Sequence, residues 1–218
     1  MFIKVISIIS SLTLLSRVLG YLRDLLIARV IGAGLISDCF FIAFKLPNLF
    51  RRLFAEGSMN SAFIPVVSGV REKMGKIEAD QFFSKIFSIL IIFLFFFVIL
   101  LEIFAPLVIS LIAPGFSEDA LKKELTVDFA RLTFPFLLFI CATSLIGAYL
   151  NTLGKFASMA LTPVILNLTI ITCLVIFFKN TDQTFITYYL SLSISIAGII
   201  QLVWMLYNLK RNKVSLSV

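Results

Sequence analysis

The chain contains no histidine, and its 218 residues include only three cysteines, one tryptophan and 14% charged side chains. Without an imidazole there can be no Ser-His-Asp triad, no histidine acid–base dyad and no histidine metal site. Cys39, Cys141 and Cys173 lie far apart, each inside an apolar run. That placement suits small core residues and argues against a disulfide framework or a zinc site. A soluble domain carries about a quarter charged residues and under half apolar ones, so this composition excludes that class as well.

What is present is apolar. Hydrophobic residues make up 60% of the chain, 24 of them phenylalanine, and the mean hydropathy is +1.07. Only a polytopic membrane protein can accommodate so much apolar surface. The first residues look superficially like a signal peptide. No small-residue cleavage site follows, however, and the pattern continues through Arg17 and Arg23, so the segment reads as a retained first helix. No internal repeat, low-complexity stretch or soluble domain stands out, so residues 1–218 read as a single transmembrane domain.

A helix needs roughly 20 residues to cross the hydrocarbon core. Six segments qualify: 3–31, 36–70, 82–112, 127–150, 156–178 and 185–209. The second is expected to break at Pro47 and again near Gly57, the fourth to kink at Pro135, and the fifth to hold Pro163 in its first turns. The fold class is therefore an all-α integral membrane bundle. Lys and Arg exceed Asp and Glu by 19 to 12. Arg71, Lys73, Lys76, Lys155, Lys210, Arg211 and Lys213 fall in loops on one side, whereas the opposite loops are near neutral. The positive-inside rule then places both termini in the cytoplasm, and the basic excess marks cytoplasmic loops, with no nucleic-acid partner.

Charges inside the first two spans carry the functional signal. Arg17 lies near the middle of the first span, where an arginine costs about 2.5–3.5 kcal/mol on insertion scales. Asp24 returns seven residues later to nearly the same helical face, with Gly20 leaving that face open; Arg23 projects about 120° away from Arg17. The second span adds Arg51 and Arg52, with Glu56 one turn after Arg52. Snorkelling to the interface accounts for Arg29 and Lys45. Arg17 is too deep for that, and Arg51 and Arg52 adjoin a helix break, so they read as lining a polar cavity. Several guanidinium groups on one cavity suit a diphosphate, because each can donate two parallel hydrogen bonds to phosphate oxygens. Other motifs carry less. Gly154-Lys155 is not a phosphate-binding loop, since Tyr149 and Phe156 occupy positions that the motif requires otherwise. Asn167-Leu168-Thr169 matches a glycosylation sequon but falls mid-membrane and reads as chance. No nucleophile–base pair or cofactor fingerprint appears, so an enzyme is not expected.

Ser16-Arg17-Val18-Leu19-Gly20-Tyr21-Leu22-Arg23-Asp24, then Gly32-Ala33-Gly34, Asp38 with Phe40-Phe41, and Phe44-Lys45-Leu46-Pro47-Asn48 resemble the MurJ (MviN) lipid II flippase family. So do Arg51-Arg52-Leu53-Phe54-Ala55-Glu56-Gly57, Phe63-Ile64-Pro65, Ala113-Pro114-Gly115-Phe116, Phe134-Pro135 and Leu150-Asn151-Thr152. The resemblance implies a member of the multidrug/oligosaccharidyl-lipid/polysaccharide exporter superfamily. Such a protein moves undecaprenyl-diphosphate-linked peptidoglycan precursor across the bacterial inner membrane, for cell-wall synthesis and cell shape. By the same resemblance, Arg17, Arg23 and Arg52 are cavity arginines and Asp24 is their neighbour. Asp38 and Glu56 match acidic positions tied to gating and cavity polarity, and Ser16 and Arg51 match the substrate-binding motif. The family has two lobes, and this chain resembles the N-terminal one, its second helix broken. A partner lobe, separately encoded or a second copy of the chain, is expected, and the family's sodium site would lie outside these residues. No cofactor is expected. Export of another undecaprenyl-linked saccharide, or a non-transporting or inactive half that acts only with a partner, are the competing readings; cationic drugs are disfavoured by the arginines.

Overall fold

A computed structural model describes residues 2–53, 59–116 and 119–214, and among these the secondary structure is helical with no strand. α1 (Phe2–Val30) ends where Gly32 takes a left-handed conformation at φ 74°, open to glycine without a Cβ penalty. α2 (Leu35–Leu53) starts at a turn where the Ser37 hydroxyl oxygen accepts from the Gly34 amide at 3.0 Å. Then come α3 (Met59–Met74), α4 (Lys76–Ile103), α5 (Ala105–Ile112) and a short 3-10 turn at Pro114–Phe116. α6 (Ala120–Thr133) is capped by Asp119, which accepts from the amides of Leu121 and Lys122 at 3.0 and 3.2 Å. α7 (Pro135–Thr152), the single turn α8 (Ala157–Ala160), α9 (Thr162–Ile176) and α10 (Gln183–Arg211) complete the chain, with Asp182 capping α10.

Five helical stretches among the described residues are long and apolar enough to cross a membrane: 6–30, 76–103, 120–152, 157–176 and 183–211. The expected second span is absent from that set, because α2 carries Asp38, Lys45, Arg51 and Arg52 within its 19 residues and α3 has only 16. The expected break near Gly57 lies outside the described residues. At Pro47 the expectation fails outright, since α2 runs straight through it. A proline removes one helix hydrogen bond and frees the carbonyl four residues earlier. That carbonyl, on Ala43, accepts from the Thr133 hydroxyl at 3.2 Å, and the same hydroxyl is shared with the Ala130 carbonyl at 3.0 Å. Pro135 does divide α6 from α7, and beside the junction the Ser195 hydroxyl of α10 donates to the Leu132 carbonyl at 2.6 Å. α4 begins six residues before the apolar window at 82, because its first turns carry Lys76, Glu78 and Asp80. It ends at Phe104, just ahead of Pro106.

α7 is the central post, with every residue from 140 to 150 buried. α10 packs along it so closely that a Cβ on Gly198 would stand 2.9 Å from Phe136 Cδ2 and Phe139 Cβ. α4 is fixed to α7 through Phe83, stacked on Tyr149 with ring centroids 4.3 Å apart, and through the Tyr149 hydroxyl, which donates to the buried Asp80 carboxylate. Phe93, Phe95 and Phe96 on α4 point outward, as lipid-facing residues do. α2 lies against α6, while α1 leans on α9 and α8 in preference to its sequence neighbour α2. A gap therefore opens between α1 and α2, with α9 as its floor.

Candidate functional site

On α1, Ser16, Gly20 and Arg23 follow one another at spacings of four and three residues, so they form a single stripe along the helix. That stripe faces Asn167, in the middle of α9. The Asn167 side chain is only 5% exposed and serves α1 with both ends of its amide. Its Nδ2 donates to the Ser16 carbonyl at 2.9 Å, and its Oδ1 accepts from Arg23 Nη1 at 2.9 Å. Gly20 makes room for this: a Cβ there would sit 3.6 Å from Asn167 Nδ2, in ordinary contact, and a longer side chain would collide.

Arg23 is held from the other side by Asp24, whose Oδ1 accepts from Nε at 2.9 Å and Nη2 at 2.8 Å. With three of its five N–H groups committed, the guanidinium is fixed in place yet keeps two donors. A cavity of about 260 Å³ lies in front of it, lined by Ser16, Arg17, Gly20 and Arg23 of α1, Phe44, Asn48 and Arg52 of α2, and Pro163, Leu166 and Asn167 of α9. Three guanidinium groups thus border one cleft, and Asp24, largely exposed, offsets only one of them.

The structure brings Ser16, Arg17, Arg23 and Arg52 to the same place. Arg17 and Arg23 share the cleft despite their angular separation, because Arg23 sits on the floor stripe and Arg17 flanks it. Asp24 pairs with its neighbour Arg23 and does not line the cavity. Asp38 is exposed in the first turn of α2, ten residues before Asn48 and so about 15 Å further along the helix. It therefore does not line this cleft. The side chain of Arg51 and the whole of Glu56 lie outside the described residues.

Two cleft residues escaped the sequence reading. Asn48 was visible only as part of a motif. Asn167 stood out only as a chance sequon, although an asparagine in the middle of an apolar span is itself a signal, since it must find partners there. Among the described residues no group of three or more cysteine, aspartate or glutamate side chains is placed to hold a metal ion.

A multi-spanning helical bundle with an arginine-lined cleft between its first two helices defines a membrane protein whose cleft is chemically suited to an anion. The sequence profile of the family described as "Lipid II flippase MurJ" matches residues 27–218, and the chain belongs to that family. It is 41% identical over 206 residues to a "Probable lipid II flippase MurJ" of Rickettsia prowazekii (strain Madrid E), covering 94% of this chain and 39% of that protein. A protein of the same description from Rhizobium tropici is 40% identical over 193 residues, covering 87% of this chain and 36% of its own length. Among solved structures, "Lipid II flippase MurJ, inward closed conformation" superposes with a TM-score of 0.79 at 31% identity, over 96% of this chain and 43% of that one. The chain is thus a multi-pass membrane protein, and it spans about two fifths of the length of these curated relatives.

Proposed function

We propose that this chain supplies the headgroup-gripping cleft of a lipid II flippase in the bacterial inner membrane, with both termini cytoplasmic. The observation that carries the reading is the convergence of Arg17, Arg23 and Arg52 on one cavity, with Arg23 fixed by Asn167 and Asp24. Guanidinium forks match the paired oxygens of a diphosphate, and a site shielded by helices strengthens each charge-assisted bond. Reversible binding is what a flippase needs: tight enough to draw the headgroup from water, weak enough to release it. Protein side chains alone do this work, with no resident cofactor.

Translocation in this reading is the rocking of one helical bundle against another around the bound headgroup. The second bundle is a further lobe or a second copy of the chain. α1 suits a moving boundary, because Leu14, Val18 and Tyr21 are 51–66% exposed along its length. The protein is thus a transporter and not an enzyme, its substrate is a polyprenyl-diphosphate saccharide, and nucleic acid is not a partner.

The reading is tested in cells whose native gene for this protein carries Arg17→Ala with Arg52→Ala, and which have no other flippase of this family. Outward exposure of lipid II should fall and the precursor accumulate on the inner side, while the variant inserts at normal levels. Unchanged exposure in the double variant would overturn the reading.

A further inference from the structure

Phe63, Val67 and Arg71 recur every four residues along α3 and so share one face. Phe63 and Val67 are buried in an apolar cluster with residues of α4, α7 and α10. Arg71 continues the same face with a charge. Its Nη1 is buried and has no hydrogen-bond partner. The guanidinium lies within electrostatic reach of the Tyr149 hydroxyl, which donates to Asp80, a carboxylate only 4% exposed. A cation, a phenol and an anion thus meet in one corner, yet among the described residues Arg71 and Asp80 form no ion pair.

Both ions are under-compensated in this arrangement. A buried carboxylate bonded to a neutral phenol, and a buried guanidinium N–H bonded to nothing, each forfeit part of their solvation. Direct contact between them would relieve both. Asp80 would then exchange the Tyr149 hydroxyl for Arg71, two donors competing for one acceptor.

Such an exchange needs one side of the corner to move. α4 and α7 are the fixed side, joined by the stack of Phe83 on Tyr149. The start of α4 is also tied to the segment after α10, where Lys76 Nζ donates to the Lys213 carbonyl at 3.0 Å and Val214 is buried in the same cluster. α3 is the moving side. It packs on α4 and α7 and joins α4 through one residue, Gly75. Gly75 has φ 92° and ψ −179°, a conformation that is essentially reserved for glycine, and the space where a Cβ would stand is open. A single-residue link of this kind can absorb a pivot. α3 also follows α2 in the chain, so the pivot falls on the segment that leads from Arg52 and the cleft.

We propose that Asp80 is the shared acceptor of a two-position latch: it takes the Tyr149 hydroxyl in this structure and the Arg71 guanidinium when α3 pivots at Gly75. The latch stands or falls independently of what the cleft binds.

The test is a spin-label distance measurement on the purified chain in lipid nanodiscs. Labels go on Lys73→Cys in α3 and Tyr207→Cys in α10, both exposed, with Cys39, Cys141 and Cys173 replaced by alanine. The otherwise unaltered chain should show chiefly the distance of this structure. Tyr149→Phe keeps the ring stack and removes the competing donor, so it should move most of the population to a second, resolved distance. Adding Arg71→Met should restore the first distance, because nothing then draws α3 across. Gly75→Ala disfavours the hinge conformation of this structure and should populate the same second distance, again dependent on Arg71; it carries the test should Tyr149→Phe fail to fold. One unchanged distance in Tyr149→Phe and Gly75→Ala would overturn the latch. So would a second distance that persists without Arg71, or a mere broadening in both backgrounds, since either marks a hydroxyl that only supports packing.

Discussion

Asn167 of α9 accepts a hydrogen bond from Arg23 Nη1 at 2.9 Å and, with its other amide atom, holds the Ser16 carbonyl at 2.9 Å. One neutral side chain thereby sets both the position of α1 on α9 and the direction of a cleft guanidinium. A hydrogen bond to a charged group is worth about 1.5–3 kcal/mol. Asn167→Leu, which keeps the volume and removes both bonds, should therefore weaken undecaprenyl diphosphate binding about tenfold or more. Titration in nanodiscs reads this directly, and an affinity within twofold of wild type would show that Arg23 needs no support from α9.

Fork geometry, more than charge, should matter at Arg17 and Arg52. Lysine retains the positive charge but presents a point cation without the paired donors. Arg17→Lys and Arg52→Lys should each lose most of the flipping rate, measured as outward lipid II exposure in cells. Full activity in both variants would reduce the cleft to a simple electrostatic funnel.

Gly20 and Gly198 should respond differently to the same change. An added methyl at Gly20 meets Asn167 at a comfortable 3.6 Å, so Gly20→Ala should leave stability and binding nearly unchanged. Gly20→Leu should fill the cleft and abolish diphosphate binding while the protein stays folded. At Gly198 a Cβ would stand 2.9 Å from Phe139 Cβ, an atom that cannot swing aside. Gly198→Ala should therefore cost about 1–3 kcal/mol by overpacking α10 against α7. Thermal unfolding in detergent separates the two positions; equal melting temperatures for both alanine variants would contradict this account.

Much of this architecture is legible in the sequence because its signals are local. The end of α1 at Gly32 and the division at Pro135 follow from backbone rules that need no tertiary knowledge. Pro47 is different. Its meaning depends on Thr133, 86 positions later, whose hydroxyl satisfies the carbonyl that the proline leaves open. No single-helix rule could supply that partner. The site divides in the same way. Arg17, Arg23 and Arg52 announce themselves as charges in apolar surroundings. Asn167, Asn151 and Gln201 are neutral, and only the packing of α7, α9 and α10 shows that they line cavities. Asp38, given a gating or cavity role only by the family resemblance, stands in the first turn of α2, away from the cleft lining.

The Pro47 arrangement yields its own prediction. Thr133→Val removes the hydroxyl and leaves the Ala43 carbonyl buried without that donor, at a cost of about 1–3 kcal/mol. Thr133→Ser should restore most of the loss. Unfolding midpoints of the two variants decide it, and a Thr133→Val protein as stable as wild type would show that α2 tolerates Pro47 by other means.

The central claim is that the α1–α2–α9 cleft grips a diphosphate. It is tested most directly by titrating the nanodisc-embedded chain with undecaprenyl diphosphate, undecaprenyl monophosphate and undecaprenol, in wild type and in the Arg17→Ala, Arg23→Ala, Arg52→Ala triple variant. The account predicts affinities that fall in that order for wild type and that converge for the triple variant. Equal affinities in wild type, or an order that survives loss of all three arginines, would contradict it.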